Sequence, residues 1–192
     1  MAGTSQTPRV GRRPVMENVR VTIHAITVLG HDRPGIIADT TGRLAALGLN
    51  LEDSSMTRLR GHFAMTLVCA GAASEAEISA GLAPLAADGT LTVTVFEIPD
   101  EDAAAEPGRP YVLAVHGGDR PGIVSSVTAE IAAVGGNITD LTTRLAGELY
   151  VVVAELDLPA AVDVAALGEA IGRVAAELGV EATLRPVEAD EL

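Results

Sequence analysis

The feature that most limits how this chain can fold is a stretch of eight residues that occurs twice. Gly30-His31-Asp32-Arg33-Pro34-Gly35-Ile36-Ile37 follows a β-branched, alternating run from Val21 to Leu29. Gly117-Gly118-Asp119-Arg120-Pro121-Gly122-Ile123-Val124 follows a second such run, Tyr111 to His116, with Asp119 standing 87 positions after Asp32. A recurring strand, turn and helix start points to one module built twice. Function is expected in this loop, because it presents backbone amides at a helix entrance.

The same interval carries into the next elements. Ile36, Thr40, Leu44 and Leu47 recur at helical spacing, matched by Ile123, Val127, Ile131 and Val134. Pro34 fits the first turn of the first helix, where its missing N–H costs nothing. Gly48 and Gly135 suit left-handed C-caps. Asn50 and Asn137 lead into a second strand, each followed by an apolar residue, Leu51 or Ile138. That strand is expected to reach about Arg58 in one copy and Arg144 in the other. There the interval drops to 86, which gives the first copy one extra residue, a bulge or a longer strand end. Gly61 and Gly147 mark a turn, and the third strands are His62 to Ala70 and Glu148 to Leu158. Ser74-Glu75-Ala76-Glu77 has capping-box spacing and opens a second helix, which Pro84 kinks or ends early. In the second copy that helix runs through Val164, Leu167, Ile171, Val174 and Leu178 and stops at Gly179. Leu91 to Ile98 and Val180 to Val187 complete the two copies.

Each copy therefore reads β-α-β-β-α-β. The fold class is α+β: two tandem ferredoxin-like modules, each a four-stranded antiparallel sheet with two helices on one face. Right-handed crossovers put the first and third strands at the centre. Domains are expected at 20–98 and 110–187, with an acidic, Pro-bounded linker at 99–109 and an acidic tail at 188–192. Residues 1–19 read as a disordered basic tail carrying Arg9, Arg12 and Arg13, and Met16 is an alternative start. The open sheet face and edge stay partly apolar, so two copies are expected to join there, within a chain or across a dimer.

Composition removes several classes of function. Hydrophobic residues make up 48% but aromatics only 2%, with no Trp, so the core is Val, Leu, Ile and Ala. Stacking platforms for single-stranded nucleic acid are excluded. A net charge of -13 argues against nucleic-acid binding by the folded body. Cys69 is expected buried in a strand, and one thiol makes no disulfide. No apolar run approaches the ~18 residues of a membrane helix, so no membrane association and a cytoplasmic location are expected. His24, His31, His62 and His116 lack metal-ligand spacing and read as surface or strand residues. The glycine loop lacks the Lys and Ser/Thr of a P-loop, and no nucleophile elbow or Ser-His-Asp set is present. Neither enzyme activity nor a cofactor is expected.

What remains is recognition at the loops. The amides near Gly35-Ile36 and Gly122-Ile123 can hold a carboxylate, aided by the helix dipole. Asp32 and Asp119 can accept from a ligand ammonium, and Asn50 and Asn137 offer a donor and an acceptor. A zwitterionic amino acid needs that combination. Plainer duties compete: the aspartates as helix caps, the asparagines as turn formers after Gly48 and Gly135.

The pattern Gly-x-Asp-Arg-Pro-Gly-Ile-[Ile/Val], followed by Gly-x-Asn-[Leu/Ile] at the next strand, resembles the ACT domain. The resemblance covers about 20–98 and 110–187. The two-module layout looks most like the glycine cleavage system repressor group of stand-alone tandem ACT proteins. ACT domains bind amino acids or similar metabolites beside this loop, at the interface of paired modules, and regulate a neighbour. The resemblance implies ligand-binding roles for His31, Asp32, Pro34, Gly35, Ile36, Asn50 and Leu51, and for Gly118, Asp119, Pro121, Gly122, Ile123, Asn137 and Ile138. It implies a non-catalytic, homodimeric regulator that takes a small amino acid, such as glycine or serine, and acts on an unidentified protein partner. The alternative is an accessory subunit docked on an enzyme of amino-acid metabolism.

Overall fold

The computed structural model describes residues 21–99 and 108–187. The expected basic leader, most of the linker and the acidic tail lie outside them. The described residues fall into two compact units, each taken by itself below. The first holds β1 (Thr22–His31), α1 (Ile36–Ala46), β2 (Asn50–Leu59), β3 (His62–Gly71), α2 (Glu75–Leu82), a short 3-10 helix (Ala83–Ala86) and β4 (Leu91–Ile98). The second holds β5 (Arg109–Gly118), α3 (Ile123–Ala133), β6 (Asn137–Ala146), β7 (Leu149–Leu158), α4 (Val164–Glu177) and β8 (Val180–Pro186). The sheets are antiparallel, in the orders β2-β3-β1-β4 and β6-β7-β5-β8. The first and third strands of each unit are central, as the α+β reading expects.

Period-two patterning makes the strands and decides what they bury. Ile26 and Val28 of β1 join Phe63, Met65, Leu67 and Cys69 of β3 in one core, and Ile36 and Leu44 of α1 close over it. Thr40, also buried on α1, donates its hydroxyl to the Ile36 carbonyl at 2.8 Å, so its polar group is satisfied. The second unit repeats the arrangement with Leu113, Val115, Val152 and Leu156 beneath Ile123, Val127 and Ile131. Ser74 and Glu77 form the reciprocal capping box of α2. Pro84 ends that helix early: α2 stops at Leu82 and one 3-10 turn follows.

Two expectations are corrected. The first copy has no extra residue. Leu59 pairs with His62 and Ala146 with Leu149, so both hairpins turn in two residues and the interval of 87 holds through β3 and β7. The glycine alone has moved, from the second turn position (Gly61) to the first (Gly147). Arg60 and Gly61 both have positive φ, 50° and 85°, as a type I′ turn requires. The bulge considered for the first copy exists in both, where the register shifts between Leu51 and Asp53 and between Ile138 and Asp140. The third strand of the second copy accordingly begins at Leu149, with Glu148 in the turn.

The second correction concerns Pro34, which precedes the helix instead of lying in its first turn. Gly35 is the N-cap, with φ 92° and ψ -7°, and Gly122 matches it at 97° and -9°. Those angles belong to the third position of a type II turn, for which Pro-Gly is the preferred central pair. A residue held there cannot continue a right-handed helix, so α1 and α3 begin one residue later.

Candidate functional site

The loop between β1 and α1 is held against the turn that enters β4. Gly30 sits where a Cβ would strike the Thr90 carbonyl oxygen and Leu91, so β4 packs directly on its backbone. The His31 N–H donates to the Thr90 carbonyl at 2.9 Å. In that turn the Thr90 hydroxyl and N–H hold the Asp88 carboxyl below its ordinary pKa, with a smaller pull from the Arg33 charge. These contacts tie the loop to the turn that enters β4. Sequence reading passed over Arg33; its signal was recurrence, as Arg120, in both copies.

The loop borders a cavity of about 330 Å³, lined by Asp32 to Ala38 together with Met56 of β2 and Phe63 of β3. Asp32, Pro34, Gly35 and Ile36 of the expected site therefore meet in one place. The first hydrogen bond of α1 runs from the Asp39 N–H to the Gly35 carbonyl, at 2.9 Å. The N–H groups of Ile36, Ile37 and Ala38 precede it and so have no partner within the helix. No side chain caps this end. Asp32 is thus not the cap that the plainer reading allowed; its Oδ2 faces Arg58 Nη1 at 3.4 Å. The end of α1 that faces the cavity is electropositive, and a carboxylate stands beside it. Met56 and Phe63, which supply the apolar side, carried no sequence signal, because they come from other strands of the sheet.

The remaining first-copy residues are placed elsewhere. His31, exposed at the end of β1, pairs across the sheet with His62, and the two rings meet edge-on with centroids 6.3 Å apart. It is not among the cavity lining. Asn50 and Leu51 lie at the opposite end of the sheet. Asn50 shares a row with Ala70 and Ile23, eight residues along β1 from His31, or about 27 Å at the rise of a strand. One unit therefore cannot bring Asn50 to its own loop. The cause is topological, since α1 carries the chain back along the whole sheet before β2 begins.

The second unit repeats this plan. Gly118 ends β5, Asp119 and Pro121 follow, and Gly122 caps α3 without a side-chain hydrogen bond. Ile123 is the first helical residue, and the Ser126 N–H donates to the Gly122 carbonyl at 2.9 Å. Asp119, like Asp32, is not a cap. Asn137 and Ile138 again start the strand at the far end, where Asn137 pairs with Asp157. Arg120 lies against Gly179, two residues after α4 ends, with Nη1 3.1 Å from where a Cβ would stand.

The expected buried thiol is found, since Cys69 is wholly buried and burial, with Glu52, raises its pKa. Of the two readings given for the histidines, His24 takes the strand one. It is fully buried on β1 opposite Cys69, and neither ring nitrogen has a partner among the described residues. Among those residues no cluster of three metal-ligating side chains occurs, and no helix is long and apolar enough to cross a membrane.

Two βαββαβ units with the same glycine-capped loop define a tandem ferredoxin-like protein. The ACT domain family model matches residues 22–95 and 109–185, and the chain belongs to that family. The glycine cleavage system transcriptional repressor of Escherichia coli is 26% identical over 170 residues, which cover 84% of this chain and 88% of the repressor. A UPF0237 protein of Methanopyrus kandleri is 44% identical over 61 residues, 32% of this chain and 66% of its own. The crystal structure of an unknown protein from Galdieria sulphuraria matches with a TM-score of 0.73 and 29% identity, covering 88% of this chain and 99% of that one.

Proposed function

We propose that this chain is a non-catalytic regulator that binds a small amino acid at the loop before α1 and passes its occupancy to a partner protein. One observation carries the reading: a single cavity is lined by Asp32 and by the residues that open α1, whose first N–H groups have no partner in the helix, beside Met56 and Phe63. The two halves of a zwitterion need those two groups. The likeness to a glycine cleavage system repressor makes glycine, with serine next, the first ligand to try. Binding alters the partner only through a difference in affinity between two states, and the loop's contacts with Thr90 and Leu91 are the means by which β4 senses occupancy.

In this reading the protein acts as a homodimer. Asn50 and Leu51, too far along β2 to reach their own loop, meet the loop of a second copy. The test is calorimetry of the whole chain with each of the twenty amino acids. Saturable binding of glycine or serine, weakened at least tenfold by Asp32→Ala, supports the reading. Heat from none of the twenty at millimolar concentration overturns it.

A further inference from the structure

A second cavity, apart from the loop, lies between α3 and α4 of the second unit. It measures about 460 Å³, within the range of small-molecule sites, and its lining includes Glu130, Val134, Pro159, Val162, Asp163 and Ala170. All the other lining residues are alanine or leucine, so its charged groups are two carboxylates and no cation.

The first unit shows what fills the matching place. Glu130 stands 87 residues after Arg43, and Val134 87 after Leu47. The N-caps Ser74 and Asp163 match the second helices, which sets Ala170 against Gly81. In the first unit Arg43 Nε meets Asp39 Oδ1 at 2.9 Å, and Nη1 donates to the Gly81 carbonyl at 3.2 Å. The Leu47 side chain fills the space that Gly81 leaves, 2.8 Å from where a Cβ would stand. A guanidinium and a leucine thus close the gap between α1 and α2. In the second unit the arginine has become a carboxylate and the leucine a valine. The link from β7 to α4 is also two residues longer than the link from β3 to α2, and its Pro159, Ala161 and Val162 form one wall.

Asp163 Oδ1 accepts from the N–H groups of Ala165 and Ala166, which fixes its direction. Glu130, half-buried, makes no ion pair among the described residues. The last turn of α3 adds carbonyl ends that favour positive charge. Asp163 is exposed and already accepts from its own helix, so Glu130 is the carboxylate left to meet a cation. We propose that this groove binds a free small organic cation, a guanidinium or primary ammonium on an apolar stem, in the place that Arg43 occupies in the first unit.

Calorimetry of the full chain with agmatine and cadaverine tests this. Saturable binding is expected, weakened about tenfold by Glu130→Gln and reduced by added salt. Glu130→Arg puts a guanidinium in the groove and should abolish agmatine binding while the chain stays folded, as read by thermal denaturation. Asp32→Ala should leave agmatine binding unchanged, which separates this site from the loop. Absence of binding up to about 10 mM overturns the proposal. So does equal binding by Glu130→Gln, or capture of an arginine-bearing peptide in the groove by a chain that ignores agmatine.

Discussion

Arg58 Nη1 lies 3.4 Å from Asp32 Oδ2, so the carboxylate at the loop cavity is directed by an edge strand and not by the helix it precedes. The two copies differ here. The residue 87 positions after Arg58 is Leu145, which cannot pair with Asp119. The first unit is therefore the better organised of the two. Because the pair is largely exposed, Arg58→Ala should change stability by less than about 1 kcal/mol. It should weaken amino-acid binding a few-fold by releasing Asp32, measured by thermal denaturation and calorimetry on the same sample.

The glycines of the loop separate two kinds of cost. Gly35→Ala meets no neighbouring atom but must hold a Cβ at φ 92°, a penalty of about 1 kcal/mol. Gly30→Ala must in addition push β4 away at Thr90 and Leu91, so about 2 kcal/mol or more is expected. Gly118→Ala, with open space and no positive φ, should fall within about 0.5 kcal/mol. Guanidinium denaturation of the three variants checks the order.

Acid should loosen the first unit. The Glu77 carboxyl is held below its ordinary pKa by the N–H and hydroxyl of Ser74. The Asp88 carboxyl is held down by the Thr90 hydroxyl and N–H, with Arg33 helping. A depressed folded pKa means stability that is present above the ordinary carboxylate range and is lost as pH falls through the folded value. Unfolding curves between about pH 5 and pH 2 should show that loss. Glu77→Gln and Asp88→Asn should flatten the slope while lowering stability at neutral pH.

Cys69 offers a reporter of the first unit alone. It is fully buried, and its raised pKa leaves little thiolate at neutral pH. A thiol reagent should modify it only when that unit opens. Reaction should therefore be slow in the native protein and accelerate in step with loss of the first unit's structure, as read by mass spectrometry across a denaturant series. Rapid reaction of the native protein would contradict the buried position.

Much of the fold was legible because the chain states it twice. Period-two runs, helical stripes and terminal glycines recurred in the same order in both copies, and local pattern sufficed for them. The hairpins were misaligned because glycine was used as the marker. Arg60 adopts positive φ in one copy, whereas Gly147 supplies it in the other. Arg-Pro-Gly-Ile was read as a helix start, although Pro-Gly is also the centre of a type II turn. At the site, spacing along the chain grouped Asn50 with Asp32. The strand length that parts them is a matter of topology. The groove beside Glu130 was invisible for a similar reason, since which side chain closes a gap between two helices depends on packing across the gap.

The most direct test of the account is the amide spectrum of the isotope-labelled protein during titration with glycine. The account predicts saturable shifts centred on the N–H groups of Ile36, Ile37 and Ala38, weakened at least tenfold in Asp32→Ala. Saturable shifts that leave those three amides unmoved, or that persist at equal affinity in Asp32→Ala, would contradict it.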